Sequence, residues 1–212
     1  VTIKSTGSIA QAVEFYGLVS DIKQVINEEG HAVYRVLLHS YDYVGEKELY
    51  TVSLQAPAER DAGDENAKTR EISKGDMVKV ISNASNEIES CTMLYDGDKK
   101  ENLCLVNPSA SDYRQRHRIL SGGVYDVQEG CLLITPENNI TENAELVDGE
   151  FWENIPTNSN FRAYRCGKRG GKDTVESITT NDFLSMKGAG IDYSRVCVLM
   201  DQGIYKIVVI YE

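Results

Sequence analysis

Residues 194–212 read SRVCVLMDQGIYKIVVIYE, two runs rich in β-branched residues on either side of the turn formers MDQG. Valine, isoleucine and tyrosine favour strands, and a short glycine-containing loop between two such runs predicts a β-hairpin. Residues 75–96, GDMVKVISNASNEIESCTMLYD, have the same form, with SNASN as the turn. Both stretches close on an apolar run that ends with tyrosine and an acid, which indicates a repeated unit.

A second pair of similar segments supports this repeat. GLVSDI at 17–22 and GGVYDV at 122–127 share glycine, valine, aspartate and a final β-branched residue in the same order. This pair is separated by about 105 residues and the closing pair by about 116. We therefore predict an internal duplication, with an N-terminal segment at 1–14, module 1 at 15–97, a linker at 98–118 and module 2 at 119–212.

The remaining patterns are also those of strands. In LYTVSLQ at 49–55, Tyr50, Val52 and Leu54 fall on one face, the period of a half-buried strand. Helical turns are expected only in IAQAVEFY, SDYRQRHRI and NDFLSM, which are too short to cross over between parallel strands. The sequence predicts an all-β protein of two tandem small antiparallel β-barrels, SH3-like or OB-like.

Composition excludes several kinds of partner. The 212 residues are 41% hydrophobic and 26% charged, as in soluble globular proteins. With 22 Lys and Arg against 33 Asp and Glu, the net charge of −11 repels a phosphate backbone, so we predict no nucleic-acid partner. No apolar run reaches the roughly 18 residues of a membrane span, so we predict no membrane insertion. The chain begins VTIKSTGS, and we expect an upstream segment in the full protein.

The cysteines and histidines show no catalytic pattern. Five cysteines occur without a CxxC or a close Cys–His pair, so neither a disulfide framework nor a zinc site is predicted. Cys197, in RVCVLM, is typical of a small buried hydrophobe. The histidines are His31, His39 and His117, and we expect His31 and His39 in solvent beside a strand. We predict no catalytic residue, no metal and no cofactor, and therefore not an enzyme.

Two loops invite ligand-binding interpretations. The acidic loop at 56–71 carries Asp61, Asp64 and Glu65, but it lacks the regular acid spacing of an EF-hand, so a solvated loop projecting from the surface is predicted. GKRGGK at 167–172 is basic and glycine-rich, but it lies between two strands. A phosphate-binding loop opens a helix, so a hairpin turn is predicted instead.

Three aromatic residues are the candidate ligand-binding residues. Phe151 and Trp152 are adjacent in DGEFWENIP, and Tyr164 follows in the next predicted strand. Aromatic rings exposed together on a concave surface can stack on sugar rings, which would make this a carbohydrate- or peptide-binding module. The alternative, which we favour, is that Phe151 and Trp152 plug the end of the second barrel.

The second module resembles a known family. Its final segment is similar to the β-rich modules found beside S-layer homology repeats in surface proteins of clostridia and related Gram-positive bacteria, through Tyr193, Ser194, Arg195, Val196, Ile204, Lys206, Ile207, Val208, Val209, Ile210 and Tyr211. The resemblance implies a non-catalytic spacer or interaction module of an extracellular, cell-wall or secreted protein. Its implied partners are a cell-wall polymer, a glycan or another surface protein. An enzyme accessory domain is a third possibility, for which no convergent set of titratable residues is found.

Overall fold

The computed structural model describes residues 12–61, 64, 67–104, 118–128, 130–136, 153–156, 160–179, 182, 195–201 and 203–212. These residues form strands, turns and one short 3-10 helix, Glu59–Asp61, and the prediction of an all-β protein is confirmed. The strands are β1 (Val13–Ile26), β2 (Ala32–Ser40), β3 (Glu46–Thr51), β4 (Gln55–Pro57), β5 (Thr69–Glu71), β6 (Met77–Ser82), β7 (Ile88–Asp96), β8 (Glu101–Asn102), β9 (Arg118–Gln128), β10 (Cys131–Pro136), β11 (Glu153–Pro156), β12 (Arg162–Arg169), β13 (Lys172–Ile178), β14 (Arg195–Asp201) and β15 (Ile204–Tyr211).

The first sheet has the order β3-β2-β1-β6-β7-β8, with every neighbouring pair antiparallel. The long β1 begins at Val13, so the predicted helical turn in IAQAVEFY is wrong for the residues the structure describes. Phe15 explains why: it pairs with Val80 of β6 and is 1% exposed, so burial on the sheet outweighs local propensity. The predicted hairpin around SNASN is confirmed as the β6–β7 turn.

The first sheet curls until its edge strand β3 meets the β6–β7 turn. The Tyr50 N–H donates to the Asn86 carbonyl at 2.9 Å. Strands β4 and β5 pair with each other beneath the curled sheet, and Ala56 and Ala58 are completely buried there. The prediction that residues 56–71 project into solvent is therefore wrong at both ends of this segment, because small apolar side chains and β-pairing hold them against the core.

The second sheet has the order β11-β10-β9-β14-β15-β12-β13. GKRGGK forms the predicted hairpin turn, with Gly170 and Gly171 at φ of 60° and 77°. Strands β12 and β15 are parallel, which corrects the prediction of purely antiparallel sheets. A parallel pair needs a long connection, and here β13 and β14 lie between the two paired strands along the chain.

Counted from one edge, the first five strands of each sheet are paired in an equivalent order, β3-β2-β1-β6-β7 in the first sheet and β11-β10-β9-β14-β15 in the second. Over the described residues both sheets have edge strands, β3 and β8 in the first and β11 and β13 in the second, so the finer prediction of two closed barrels is not confirmed. Of the predicted linker at 98–118, the structure describes 98–104 and Arg118. These contain β8 and the buried Leu103 and Cys104.

The core has three layers. One cluster fills the inside of the curled first sheet, and another covers one face of the second sheet. The third lies between the sheets and takes residues from both: Leu18, Met77, Leu94, Tyr95, Cys104, Ile119, Tyr164, Cys166, Cys197, Leu199, Ile207, Val209 and Tyr211. The polar contacts of the first candidate site lie around this shared layer.

Candidate functional site at the junction of the two sheets

Tyr164 lies inside the junction. It is 4% exposed and stacks on His39 of β2, with ring centroids 4.4 Å apart and an interplanar angle of 15°. Phe151 and Trp152 lie outside the described residues, so the three predicted ligand-binding aromatics stay a prediction as a set. Tyr164 itself packs against the first sheet.

His39 corrects a second expectation. Its side chain is only 17% exposed, whereas that of His31 is 73% exposed, as predicted. Burial lowers the pKa of His39, and Arg162 acts in the same direction, although Glu46 opposes them with Oε1 at 3.7 Å from Nε2. The neutral imidazole therefore serves as a flat packing partner for Tyr164.

Arg162 ties β12 to the end of β2. Its Nη1 donates to the Ser40 carbonyl at 2.7 Å and also to the Tyr43 carbonyl. Two cations lie near the Tyr41 ring, with Lys206 Nζ 4.2 Å and the Arg162 guanidinium carbon 6.0 Å from its centroid. Because a guanidinium keeps its charge and offers several fixed donors, Arg162 acts as a cross-link between the sheets.

Ser20 and Glu46 complete this side of the junction. The Ser20 hydroxyl donates to Glu46 Oε1 at 2.5 Å, and Ser20 is 7% exposed. In a Ser-His-Asp catalytic triad, a histidine accepts the proton of the serine hydroxyl, and a carboxylate hydrogen-bonds to the other side of that histidine. Here the carboxylate itself accepts from the serine, so the arrangement is that of a hydrogen-bonded structural contact.

The KGD turn at 74–76 builds the other side. Gly75 has φ of 96°, which favours glycine, and Asp76 is 1% exposed. Asp76 accepts from the Ser73 N–H at 2.7 Å and from the Gly97 N–H at 2.8 Å. Burial raises the pKa of Asp76 to about 6, even though these hydrogen bonds favour its charged form. The carboxyl group thereby joins two turns of the first sheet.

Tyr211 connects this corner to the second sheet. It is 3% exposed, its hydroxyl donates to the Gly75 carbonyl at 2.8 Å, and its ring centroid is 5.2 Å from that of Tyr95. Gly97 fits beneath it, since a Cβ there would lie 2.5 Å from the Gly75 carbonyl oxygen and 3.1 Å from Tyr211 Cε1. The tyrosine at the end of β15 thus packs against the glycine that precedes β6.

The thiols are suited to packing rather than to nucleophilic chemistry. All five cysteines are free, and Cys104, Cys166 and Cys197 are buried, as predicted for Cys197. Burial raises the pKa of Cys91 and of Cys166 to about 12, which leaves almost no thiolate near neutral pH. Within the described ranges, no three His, Cys, Asp or Glu side chains are grouped so as to hold a metal ion.

A small cleft opens at the same junction. It has a volume of about 130 Å³, with Gly75, Cys166 and Tyr211 in its wall. Its rim carries lysines and acids in equal number, namely Lys74, Lys100, Lys168, Asp98, Asp173 and Glu212. This balance gives the cleft no preference for a ligand of either charge.

Most of these contacts cannot be predicted from local sequence patterns. The glycine and aspartate at 75–76 signal a turn, but the partner that this turn meets lies more than 100 residues away. Arg162 has no distinctive neighbours in sequence, and only the pairing of β12 beside β15 brings it to the first sheet.

A scan against protein-family models, a search of curated proteins and a search of solved structures each returned no match to this chain. Among the residues that the structure describes, no helix has both the length and the apolar character needed to cross a membrane.

Proposed function

We propose that this chain is a non-catalytic structural module in which two related β units are joined into one rigid body. The observation that carries the proposal is the shared core between the sheets. Fully burying an apolar side chain is worth about 1.5–3 kcal/mol relative to leaving it exposed, so this shared layer opposes separation of the two sheets. Domains move relative to each other unless their interface is large and apolar, and the apolar character of this layer supports a fixed arrangement.

Duplication is the proposed origin of the two units. A β-bulge interrupts the pairing of β1 with β2 at Ser20 and that of β9 with β10 at Tyr125. These residues hold the same position in GLVSDI and GGVYDV. Bulges are specific local features that families keep, so an equivalent bulge in the matched motif supports a common ancestor for the two units.

Strand register supports the same proposal. In each sheet, three residues lie side by side on neighbouring strands, and the two sets begin at the same position of the GLVSDI and GGVYDV motifs. They are Leu18, Met77 and Tyr95 in the first sheet, and Gly123, Arg195 and Tyr211 in the second. Both rows end on the tyrosine of a closing hairpin. We therefore propose two tandem units derived from small SH3-like or OB-like barrels.

The setting that we propose is the cell surface or the secreted space of a Gram-positive bacterium, on the resemblance of residues 193–211 to modules beside S-layer homology repeats. A rigid acidic module suits a spacer or display element there, because a net charge of −11 keeps it soluble near other surface proteins. Its proposed partners are wall polymers, glycans or neighbouring surface proteins.

Rigidity is tested by measuring a distance across the junction. Val44 is 99% exposed in the first half and Ile204 is 55% exposed in the second, so both can carry spin labels attached through unnatural amino acids. Pulsed dipolar spectroscopy should give one narrow distance distribution. A broad distribution for the unmodified chain would contradict the proposal.

Arg162→Ala gives the matched perturbation for the same measurement. It removes the donors to the Ser40 and Tyr43 carbonyls and should broaden the distribution. Arg169→Ala is the control, since Arg169 lies on the same strand with an 80% exposed side chain, and its removal should leave the distribution unchanged.

The proposed location is tested separately. An antibody against the chain should label intact cells of the source organism, and labelling only after lysis would contradict the proposed setting.

A further inference from the structure

A second concave site lies far from the junction, at the open end of the curled first sheet. It has a volume of about 550 Å³, within the range of small-ligand and peptide pockets. Its walls come from three segments: the β1–β2 hairpin tip, β3 and the β6–β7 turn. We call it the Arg35 groove, after the cation in its lining.

Hydrogen bonds fix the walls of the Arg35 groove. In the β1–β2 turn, the Asn27 side chain accepts from the His31 N–H at 2.8 Å. In the β6–β7 turn, the Asn83 side chain accepts from the N–H groups of Ser85 and Glu87, each at 2.9 Å. Both walls are therefore preorganised, which lowers the entropic cost of binding a ligand.

Arg35 has unused hydrogen-bonding capacity. Its Nε is buried and has no hydrogen-bond partner among the described residues, and its Nη1 is 3.8 Å from Glu48 Oε2, beyond a normal hydrogen bond. The other oxygen of Glu48, Oε1, accepts a hydrogen bond from the Tyr50 hydroxyl. The groove gives no access to the buried Nε, so the amino groups at the end of this 30% exposed side chain are the donors that suit the two oxygens of a carboxylate.

The rest of the groove offers the opposite charge and an apolar surface. Glu28, Glu29 and Glu87 lie in its lining, while Val25, Val33 and the 67% exposed Ile26 provide the apolar part. The complement to this surface is a ligand with cationic groups, an apolar side chain and one carboxylate. The net charge of −11 would also attract such a ligand over longer distances.

We propose that the Arg35 groove binds the C-terminal end of a basic peptide. The free carboxylate pairs with Arg35, the last apolar side chain rests on Val25 and Ile26, and preceding lysine or arginine side chains meet the glutamates. This activity goes beyond the rigid structural role, and it is independent of that role because all of the groove lies within the first sheet.

The probe is N-acetylated Lys-Leu-Lys-Leu, prepared once with a free C-terminal carboxylate and once as the amide, and titrated into the ¹⁵N-labelled full chain. The acid should shift amide signals of residues 25–29, 33, 35, 50 and 85–87 in a saturable manner. Loss of the charged pair should make the amide bind about tenfold more weakly. No saturable shift, shifts spread over both sheets, or equal affinity for acid and amide would overturn the proposal.

Three variants separate the contribution of Arg35 to peptide binding from that of the glutamates and from that of net charge alone. Arg35→Met should abolish the difference between acid and amide. The double variant Glu28→Gln with Glu29→Gln should weaken both probes several-fold and reduce the salt dependence of binding, since screening acts on these exposed charges. Glu71→Gln removes an exposed charge outside the groove and should bind like the unmodified chain. Discrimination that persists in Arg35→Met would overturn the assignment of the carboxylate to Arg35, and failure of the groove would leave the rigid junction intact.

Discussion

Asp76 should make the stability of this protein depend on pH in a direction opposite to that of most carboxylates. Its pKa is raised from 3.8 to about 6 because it is buried at the corner between the β5–β6 connection and Gly97. The folded state therefore favours the neutral acid. The contribution of this group to stability is fully present below pH 3.8 and is lost as the pH rises through about 6.

The magnitude follows from the shift. A difference of about two pKa units corresponds to about 3 kcal/mol, of which about 2–3 kcal/mol should be lost between pH 4 and pH 8. Because Asp76 is only 1% exposed, screening by solvent does not reduce this free energy.

Urea unfolding of the unmodified chain and of Asp76→Asn isolates this effect. The variant keeps a side-chain oxygen for one of the two N–H donors, those of Ser73 and Gly97, but it cannot ionise. The free energy of unfolding of the unmodified chain, minus that of the variant, should fall by about 2–3 kcal/mol from pH 4 to pH 8. A difference that is constant over this range, or that rises with pH, would refute the reasoning.

Asp96→Asn is the matched control. Burial acts to raise the pKa of Asp96, but the Lys99 N–H, the Lys99 ammonium and Arg70 hold it below its ordinary value. The contribution of this group is present above its ordinary pKa and is lost only as the pH falls toward the lower folded value. The free energy of unfolding of the unmodified chain, minus that of Asp96→Asn, should therefore change by under about 1 kcal/mol between pH 4 and pH 8.

Three further predictions concern the same junction. Tyr211→Phe removes the donor to the buried Gly75 carbonyl and should cost about 1–3 kcal/mol in urea unfolding, with a loss under about 0.5 kcal/mol counting against this contact. Gly97→Ala places a Cβ 2.5 Å from the Gly75 carbonyl oxygen and should lower stability by about 1–3 kcal/mol or more, and a neutral effect in thermal unfolding would contradict the packing. Cys166 should not react with Ellman's reagent at pH 8 until the chain is unfolded, because burial raises its pKa to about 12, and rapid native labelling located by mass spectrometry would refute this.

The sequence predicts the strands well because their signals are local. Alternation, β-branched residues and glycine turns are enough to find the β6–β7 and β14–β15 hairpins and the GKRGGK turn. The internal match predicted a duplication, which stays a prediction beside the similar strand orders of the two sheets. Prediction failed where long-range pairing decides the outcome. The parallel pairing of β12 with β15 depends on how β13 and β14 return the chain, which no local pattern encodes.

The junction was harder to predict for the same reason. His39 has the sequence neighbours of an exposed residue, and only contact with Tyr164 buries it. Gly75 and Asp76 read as a turn, but their role in the junction depends on Tyr211 from the other end of the chain. The aromatic residues of the predicted binding set illustrate the limit: aromatic character alone does not distinguish a ligand platform from a core contact.

The most direct test of the central claim is ¹⁵N relaxation of backbone amides in β1–β7 and in β9–β15, analysed for rotational diffusion. The shared core predicts that amides of both sheets fit a single diffusion tensor with the correlation time of one 23.6 kDa particle. Two separate tensors, with shorter correlation times for each half, would contradict the rigid two-unit module.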